Sequence, residues 1–190
     1  MKNQYHINKM DTGFLEIILG PMFSGKTTHL VDLYNTYNDI GHKVIAINFS
    51  ADKRYHDTML STHDKIMIPC IFADKISDFL DDLLIVDIIL INEGQFFPDL
   101  YEVVVKLVEQ HKKRVHVCGL DGDFKRNKFG NMLDLIPLSD VVTKLQSKCH
   151  TCSNLAIFSH RITKETEQIV IGSDNYVPLC RKCYQKYNNT

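Results

Sequence analysis

FLEIIL at residues 14–19, GPMFSGKT at 20–27 and THLVDLYNTY at 28–37 stand end to end in this chain. The first run is apolar and β-branched and stops at a glycine, as a buried strand does. The last sets Leu30, Leu33, Tyr34 and Tyr37 at helical spacing until Gly41 ends it. Strand, glycine-bearing loop and helix in that order begin an α/β sheet.

Outward from this unit the alternation repeats. Lys43 to Ile47 reads as a second strand, Ile76 to Leu84 as a short helix, and VDIILI at 86–91 as a strand buried on both faces. Leu100, Val104, Leu107, Val108 and His111 mark one face of a helix opened by Pro98 and Asp99, and RVHVCG at 114–119 follows as a strand. Beyond about Ser139 the alternation fades and paired cysteines take over. The expected architecture is α/β: a P-loop NTPase-type parallel sheet flanked by helices over residues 1–145, with a small cysteine module over 146–190 packed on it.

Composition narrows the classes. At 190 residues and 44% hydrophobic the chain can bury a real core. Its 22 basic and 23 acidic residues leave a formal charge of -1, without the electrostatic footprint of a nucleic-acid or membrane-surface binder. The opening MKNQYHINKMDTG has no apolar leader core, and the run from Leu83 to Ile91 is short and broken by Asp87, so no membrane partner is expected. Four of the six cysteines fall in two Cys-x-x-Cys pairs, which suits a reducing, intracellular compartment better than a secreted disulfide frame.

The loop carries the first chemistry. Gly20-x-x-x-x-Gly25-Lys26-Thr27 is the phosphate-loop pattern, in its required context between a strand and a helix. Its glycines let backbone N–H groups turn inward as a nest for phosphate oxygens, at the positive end of the helix dipole. Lys26 would reach the β- and γ-phosphates, and the Thr27 hydroxyl would join a Mg²⁺ shell. A nucleoside triphosphate is the expected ligand, and the acceptor must be sought elsewhere.

IILINEGQFF at 88–97 sets Asn92 and Glu93 at the C-terminal end of a buried strand, the edge where α/β sheets hold ligands. A carboxylate beside a triphosphate can accept the proton of an attacking alcohol or water, so Glu93 is the candidate general base. Asn92 stands where such strands commonly carry a metal-shell aspartate. Its neutral oxygen can still accept from a metal-bound water.

Cys149, Cys152, Cys180 and Cys183 have the spacing of a closed Cys₄ zinc site, which would be structural rather than catalytic. His150 reads as a solvated loop histidine, and Cys70 and Cys118 as buried thiols.

With GPMFSGKT, INEGQFFPD, GLDGDF, KFG and the cysteine pairs in this order, the chain closely resembles the type II, cytosolic, zinc-containing thymidine kinases, from about residue 14 to Tyr184. The resemblance implies transfer of the γ-phosphoryl of ATP to the 5′-hydroxyl of thymidine, with Mg²⁺ and a structural Zn²⁺. Gly20, Pro21, Met22, Phe23, Ser24, Gly25, Lys26 and Thr27 would bind ATP, with Met22 also near the nucleoside. Glu93 matches the family's base and Phe97 the aromatic of its base pocket. Asp52 and Arg54 resemble its sugar- and phosphate-side residues, and Leu120, Phe124 and Phe129 its pocket wall. The segment between the cysteine pairs resembles the family's lasso loop, which closes over thymine; Ser159, Val170, Ile171, Gly172 and Tyr176 would make its contacts.

The resemblance further implies a homotetramer, feedback inhibition by thymidine triphosphate, and a cytoplasmic setting, the host cytoplasm for a viral member. Two departures stand out: Ile91-Asn92-Glu93 where the family usually has I-D-E, and a lasso one residue shorter than the usual I-G-G-x-D-x-Y. A nucleotide binder with little turnover, and a P-loop ATPase acting on nucleic acid, are the other readings.

Overall fold

The computed structural model describes residues 11–51, 59–62, 64–170 and 172–188. The chain opens with β1 (Phe14–Leu19), α1 (Lys26–Asp39) and β2 (Val44–Phe49), as the opening stretch implies. Three short strands follow: β3 (Met59–Ser61) and β4 (Met67–Pro69), which pair antiparallel as a hairpin, and β5 (Ile71–Ala73). Ile76–Phe79 is a 3₁₀ turn that runs into α2 (Leu80–Leu84), and β6 (Ile88–Ile91) comes next. Then come α3 (Leu100–Val105), which continues as a wider π turn over Lys106–Gln110, and β7 (Arg114–Gly119). A 3₁₀ segment at Met132–Leu138 leads to β8 (Val141–Lys144).

Six of these strands form one sheet in the order β5-β2-β6-β7-β1-β8, and every neighbouring pair is parallel. Order reverses between β6 and β1 around β7, so the C-terminal ends of β1, β2, β6 and β7 open onto one crevice. The sheet runs past Ser139 to Lys144, further than the hydrophobic alternation indicates. Val141 and Val142 are largely exposed there, because β8 is an edge strand with little of the apolar signal of a buried one.

Side-chain alternation divides the core into two layers. Ile17, Ile89, Ile91, Val115 and Val117 face α3 and the 132–138 segment through Leu100, Val104, Leu107, Met132 and Leu135. Ile18, Ala46, Ile88, Leu90 and Cys118 face α1 and the hairpin through Leu30, Val31, Tyr37, Leu60 and Ile68. All four residues of β6 are fully buried, which is why it reads as an unbroken apolar run.

The C-terminal segment forms β9 (Ser147–Lys148), β10 (Leu155–Ala156), β11 (Phe158–Arg161), β12 (Tyr176–Leu179) and α4 (Arg181–Asn188). β9 pairs with β10 and β11 with β12, both antiparallel. Its small core gathers Ala156, Leu179, Tyr184 and the cysteines. The segment is tied to the sheet: the Tyr184 hydroxyl donates to Phe124 O at 2.6 Å and the Ser147 hydroxyl to Phe23 O at 2.9 Å. No helix among the described residues is long and apolar enough to cross a membrane.

Candidate active site

The loop after β1 turns as its glycines allow. Gly25, immediately before α1, takes φ 84, ψ 16, a left-handed conformation that a residue with a Cβ rarely adopts. Lys26 is buried, and its ammonium donates to Gly20 O at 3.0 Å and Pro21 O at 2.8 Å. Gly20 and Pro21 therefore serve the site through their carbonyls. Met22, Phe23, Ser24, Gly25, Lys26 and Thr27 all line one large cavity at the sheet's C-terminal edge. The Ser24 Oγ is buried there with no hydrogen-bond partner among the described residues.

Beneath this loop lies a neutral polar cluster. The Thr27 hydroxyl reaches Asn92 Oδ1 at 3.5 Å, and the Cys118 thiol donates to the same oxygen at 2.9 Å. β2, β6 and β7 deliver Asn48, Asn92 and Cys118 side by side, on the α1 face of the sheet beyond Ala46, Leu90 and His116. Cys118, read from sequence as an inert thiol, is buried as expected but belongs to this cluster.

Glu93 and Asn92 both line the cavity. Glu93 takes φ 54, ψ 42, an uncommon conformation for a residue with a Cβ, and one that recurs where function constrains the backbone. Leu120, Phe124, Phe129, Ser159, Val170, Gly172 and Tyr176 line the same space. Asp52, Arg54 and Ile171 lie outside the described residues.

Phe97 is the correction. It is 1% exposed and sits in the α3-side core with its ring edge-on to Phe49. Its neighbour Phe96, at the end of a 3₁₀ turn, faces the cavity instead. Adjacent residues at the end of such a turn point apart, and identity alone does not say which of two phenylalanines goes outward. Phe49 and Phe129 flank Phe96 with ring centroids 5.2 and 5.4 Å away, so three aromatics make one wall. A planar ring would find an apolar, stackable surface there.

Over the cavity hangs the segment joining β11 to β12, organised by Arg161. This side chain is buried and donates to the carbonyls of Glu165, Glu167 and Gln168 and to the Tyr176 hydroxyl. Its guanidinium lies 3.8 Å from the centre of the Phe124 ring. Tyr176 passes its own proton to Val170 O at 3.0 Å. Gln168 donates to Asp123 Oδ2 at 2.9 Å, while Oδ1 of that aspartate caps the turn at Lys125 and Asn127. The Ser159 Oγ accepts from Met22 N–H at 2.9 Å and locks β11 to the phosphate loop. Arg161, Asp123 and Gln168 escape a sequence reading because each acts on main-chain groups or across long separations.

The four cysteines do come together. Their sulfurs all lie within 4.8 Å of one another, with Cys152 Sγ 3.7 Å from both Cys180 and Cys183. Four sulfurs at ~2.3 Å from one tetrahedral ion would be separated by roughly 3.8 Å, so the donor set fits zinc. Burial opposes ionising Cys149, but N–H groups of Cys180, Thr151 and Cys152 outweigh it and bring the thiol down to about 6. Burial and the neighbouring sulfurs push Cys183 up to about 12. Crowded sulfurs that resist a second negative charge are what a divalent cation relieves.

A second polar cluster lies below the site on the α1 face. Glu16 Oε2 meets His116 Nδ1 at 2.8 Å, Thr143 donates to Oε1 at 2.9 Å, and the Tyr37 hydroxyl lies 3.1 Å from His116 Nε2. Burial lowers the pKa of His116 against the pull of Glu16. A neutral ring with its proton on Nδ1 donates to Glu16 and accepts from the Tyr37 hydroxyl.

A family model described as thymidine kinase matches residues 13–184. Among curated proteins, the thymidine kinase of vaccinia virus (strain Ankara) is 43% identical over 176 residues, 92% of this chain and 98% of its own length. That of variola virus is equally similar. The thymidine kinase of Oryza sativa subsp. japonica is 42% identical over 179 residues, 90% of this chain and 66% of its own. Among solved structures, AMPPCP-bound DnaA from Aquifex aeolicus covers 72% of this chain and 41% of that one, at 14% identity and a TM-score of 0.45, too loose a likeness to build on.

Proposed function

This chain belongs to the thymidine kinase family, and from that premise we propose that it transfers the γ-phosphoryl of ATP to the 5′-hydroxyl of thymidine. One observation carries the reading: the phosphate loop, Glu93 and the Phe49–Phe96–Phe129 wall line a single cavity beneath the Arg161-organised segment. A triphosphate held on the loop and a base stacked on the wall would put the sugar hydroxyl between them, beside the carboxylate.

Each residue then has a task. Lys26 exchanges the Gly20 and Pro21 carbonyls for phosphate oxygens, and the N–H groups at the start of α1 take the rest of that charge. Mg²⁺, when bound, neutralises charge on the transferring phosphoryl; Thr27 and the oxygen of Asn92 would serve its shell. Glu93 accepts the hydroxyl proton as the 5′-oxygen bonds to the γ-phosphorus and the bond from that phosphorus to the bridging oxygen breaks, releasing ADP. Phe96, rather than Phe97, stacks on thymine, and main-chain groups near Ser159, Val170 and Gly172 read its edge, since amide and carbonyl pairs suit an imide. Zinc on Cys149, Cys152, Cys180 and Cys183 anchors both ends of the overhanging segment.

The labour divides along the chain: residues 1–145 hold the triphosphate and supply the base and the aromatic wall, and 146–190 close over the nucleoside. The unbroken cavity also supports inhibition by thymidine triphosphate, which could fill both halves at once. Clustered thiols at metal-ligand spacing support a reducing cytoplasm as the setting. Nothing in the site favours a nucleic-acid ATPase.

The deciding experiment is phosphoryl transfer by the zinc-loaded protein, with ATP, graded Mg²⁺ and a panel of deoxynucleosides. Thymidine monophosphate formed in preference to other products supports the reading. Hydrolysis of ATP with no nucleoside product removes it.

A further inference from the structure

We infer that Gln95 is a positioning residue for phosphoryl transfer, aiming the Glu93 carboxylate by tying it to the main chain after β7. The inference rests on Glu93 acting as the base, and goes beyond it.

Gln95 is 4% exposed, and both ends of its amide are engaged. Its Nε2 donates to Glu93 Oε2 at 2.6 Å, and its Oε1 accepts from Leu120 N–H at 3.0 Å. One buried side chain thus links the turn after β6, which carries the carboxylate, to the strand end whose Leu120 lines the cavity wall. Because Glu93 has left-handed backbone angles, its side chain leaves the main chain in a direction that ordinary turn packing does not define. The tie to Gln95 constrains one of its oxygens.

The slot for Gln95 depends on two glycines. A Cβ on Gly119 would come within 2.4 Å of the Gln95 Oε1, and one on Gly130 within 2.2 Å of its main-chain oxygen. The first contact bears on the amide itself, so a side chain at 119 would push the Gln95 Oε1 off its place; the second is with main chain and fixes the path of the turn that carries Gln95. A glutamine held only for packing would not need its donor end placed on a carboxylate. Charge-assisted hydrogen bonds of this length are directional, and a carboxylate with one oxygen fixed offers the other along a defined line.

The test uses the zinc-loaded protein and separates turnover from binding. Gln95→Leu keeps the volume and removes both bonds; Gln95→Glu keeps an acceptor for Leu120 and removes the donor to Glu93. Both variants should lower kcat by about 10- to 100-fold, the scale of a misaimed catalytic group, with KM for thymidine and ATP within about twofold. In a Glu93→Gln background, where no carboxylate remains to be aimed, the same changes should lower kcat by less than about twofold. Equal losses in both backgrounds would show a purely structural role and overturn the inference while leaving Glu93 as the base. Undiminished kcat in Gln95→Glu overturns it likewise. Should Glu93→Gln itself retain full kcat, the base reading falls and the inference falls with it.

Discussion

Asn92 donates its side-chain N–H to the Oδ1 of Asn48 at 2.8 Å, and by doing so turns its own oxygen toward Thr27. Both amides are buried, and neither carries a charge. Asn92→Asp adds the charge that a hard cation favours, and removes the N–H that Asn48 accepts. Half-saturation by Mg²⁺ should therefore fall several-fold, while unfolding costs about 1–3 kcal/mol less. A metal titration alongside thermal melts checks both parts, and an unchanged titration would show that residue 92 does not serve the metal shell.

The adjacent phenylalanines should separate cleanly. Phe96→Ala should raise KM for thymidine by roughly 5- to 150-fold, the equivalent of about 1–3 kcal/mol of stacking, with little change in stability. Phe97→Ala empties a core position and should cost about 3–5 kcal/mol of stability while leaving KM near wild type in whatever protein folds. Steady-state kinetics and denaturant melts on both variants distinguish the roles.

Arg161→Lys retains the charge but not the planar fork that spans three carbonyls and the Tyr176 hydroxyl. It should reduce kcat/KM for thymidine by about 10- to 100-fold, the scale of losing a hydrogen bond to a charged group. ATP affinity should be nearly unchanged, as calorimetry with ATP alone would reveal.

Removing the metal, or replacing Cys180 with serine, should abolish thymidine binding before triphosphate binding. The cysteines hold both ends of the segment over the cavity, whereas the phosphate loop rests on β1 and α1. Structural zinc in such modules contributes on the order of 10 kcal/mol, so partial retention of the fold there is not expected. Titration with each ligand after chelation measures the difference.

Acid should weaken the fold through the Glu16–His116 pair. His116 has its pKa lowered in the folded protein, so the unfolded chain takes the proton first; this stabilising contribution is complete above about pH 6.5 and is lost as pH falls below it. Glu16 meets an opposing desolvation cost, but the bonds from His116 and Thr143 outweigh it and lower its pKa as well. Its contribution is present above about pH 4.5 and disappears as pH falls through the lower folded value. Both signs agree, so melting temperature should decline from just below pH 6.5 and continue to decline below 4.5. His116→Gln should flatten the first decline and leave part of the second.

Much of this was legible in the residues because the signals were local. FLEIIL, GPMFSGKT and the helix after it are contiguous, and the cysteine pairs carry their own spacing. β5, the β3–β4 hairpin and the edge strand β8 are short or half-exposed, and periodicity needs length to rise above chance. Phe96 was passed over for Phe97 because side-chain direction at the end of a 3₁₀ turn depends on backbone angles that composition does not specify. Gln95, Asp123 and Arg161 act on main-chain groups or on side chains up to 45 positions away, as with Gln168 and Asp123, and such bonds leave no pattern in one sequence.

The ladder between Phe158–Arg161 and Tyr176–Leu179 makes the segment between them an exchangeable part. Its ends are fixed by paired strands and by the four sulfurs, so a change in its length outside the stretch bonded to Arg161 and Asp123 costs the sheet little beyond closure entropy. Doubling such a loop costs only about 0.6 kcal/mol. Insertions and deletions there can be sampled by drift without unfolding the sheet or disturbing the phosphate loop, and the range of nucleosides accepted can diverge between lineages while the transfer chemistry stays the same.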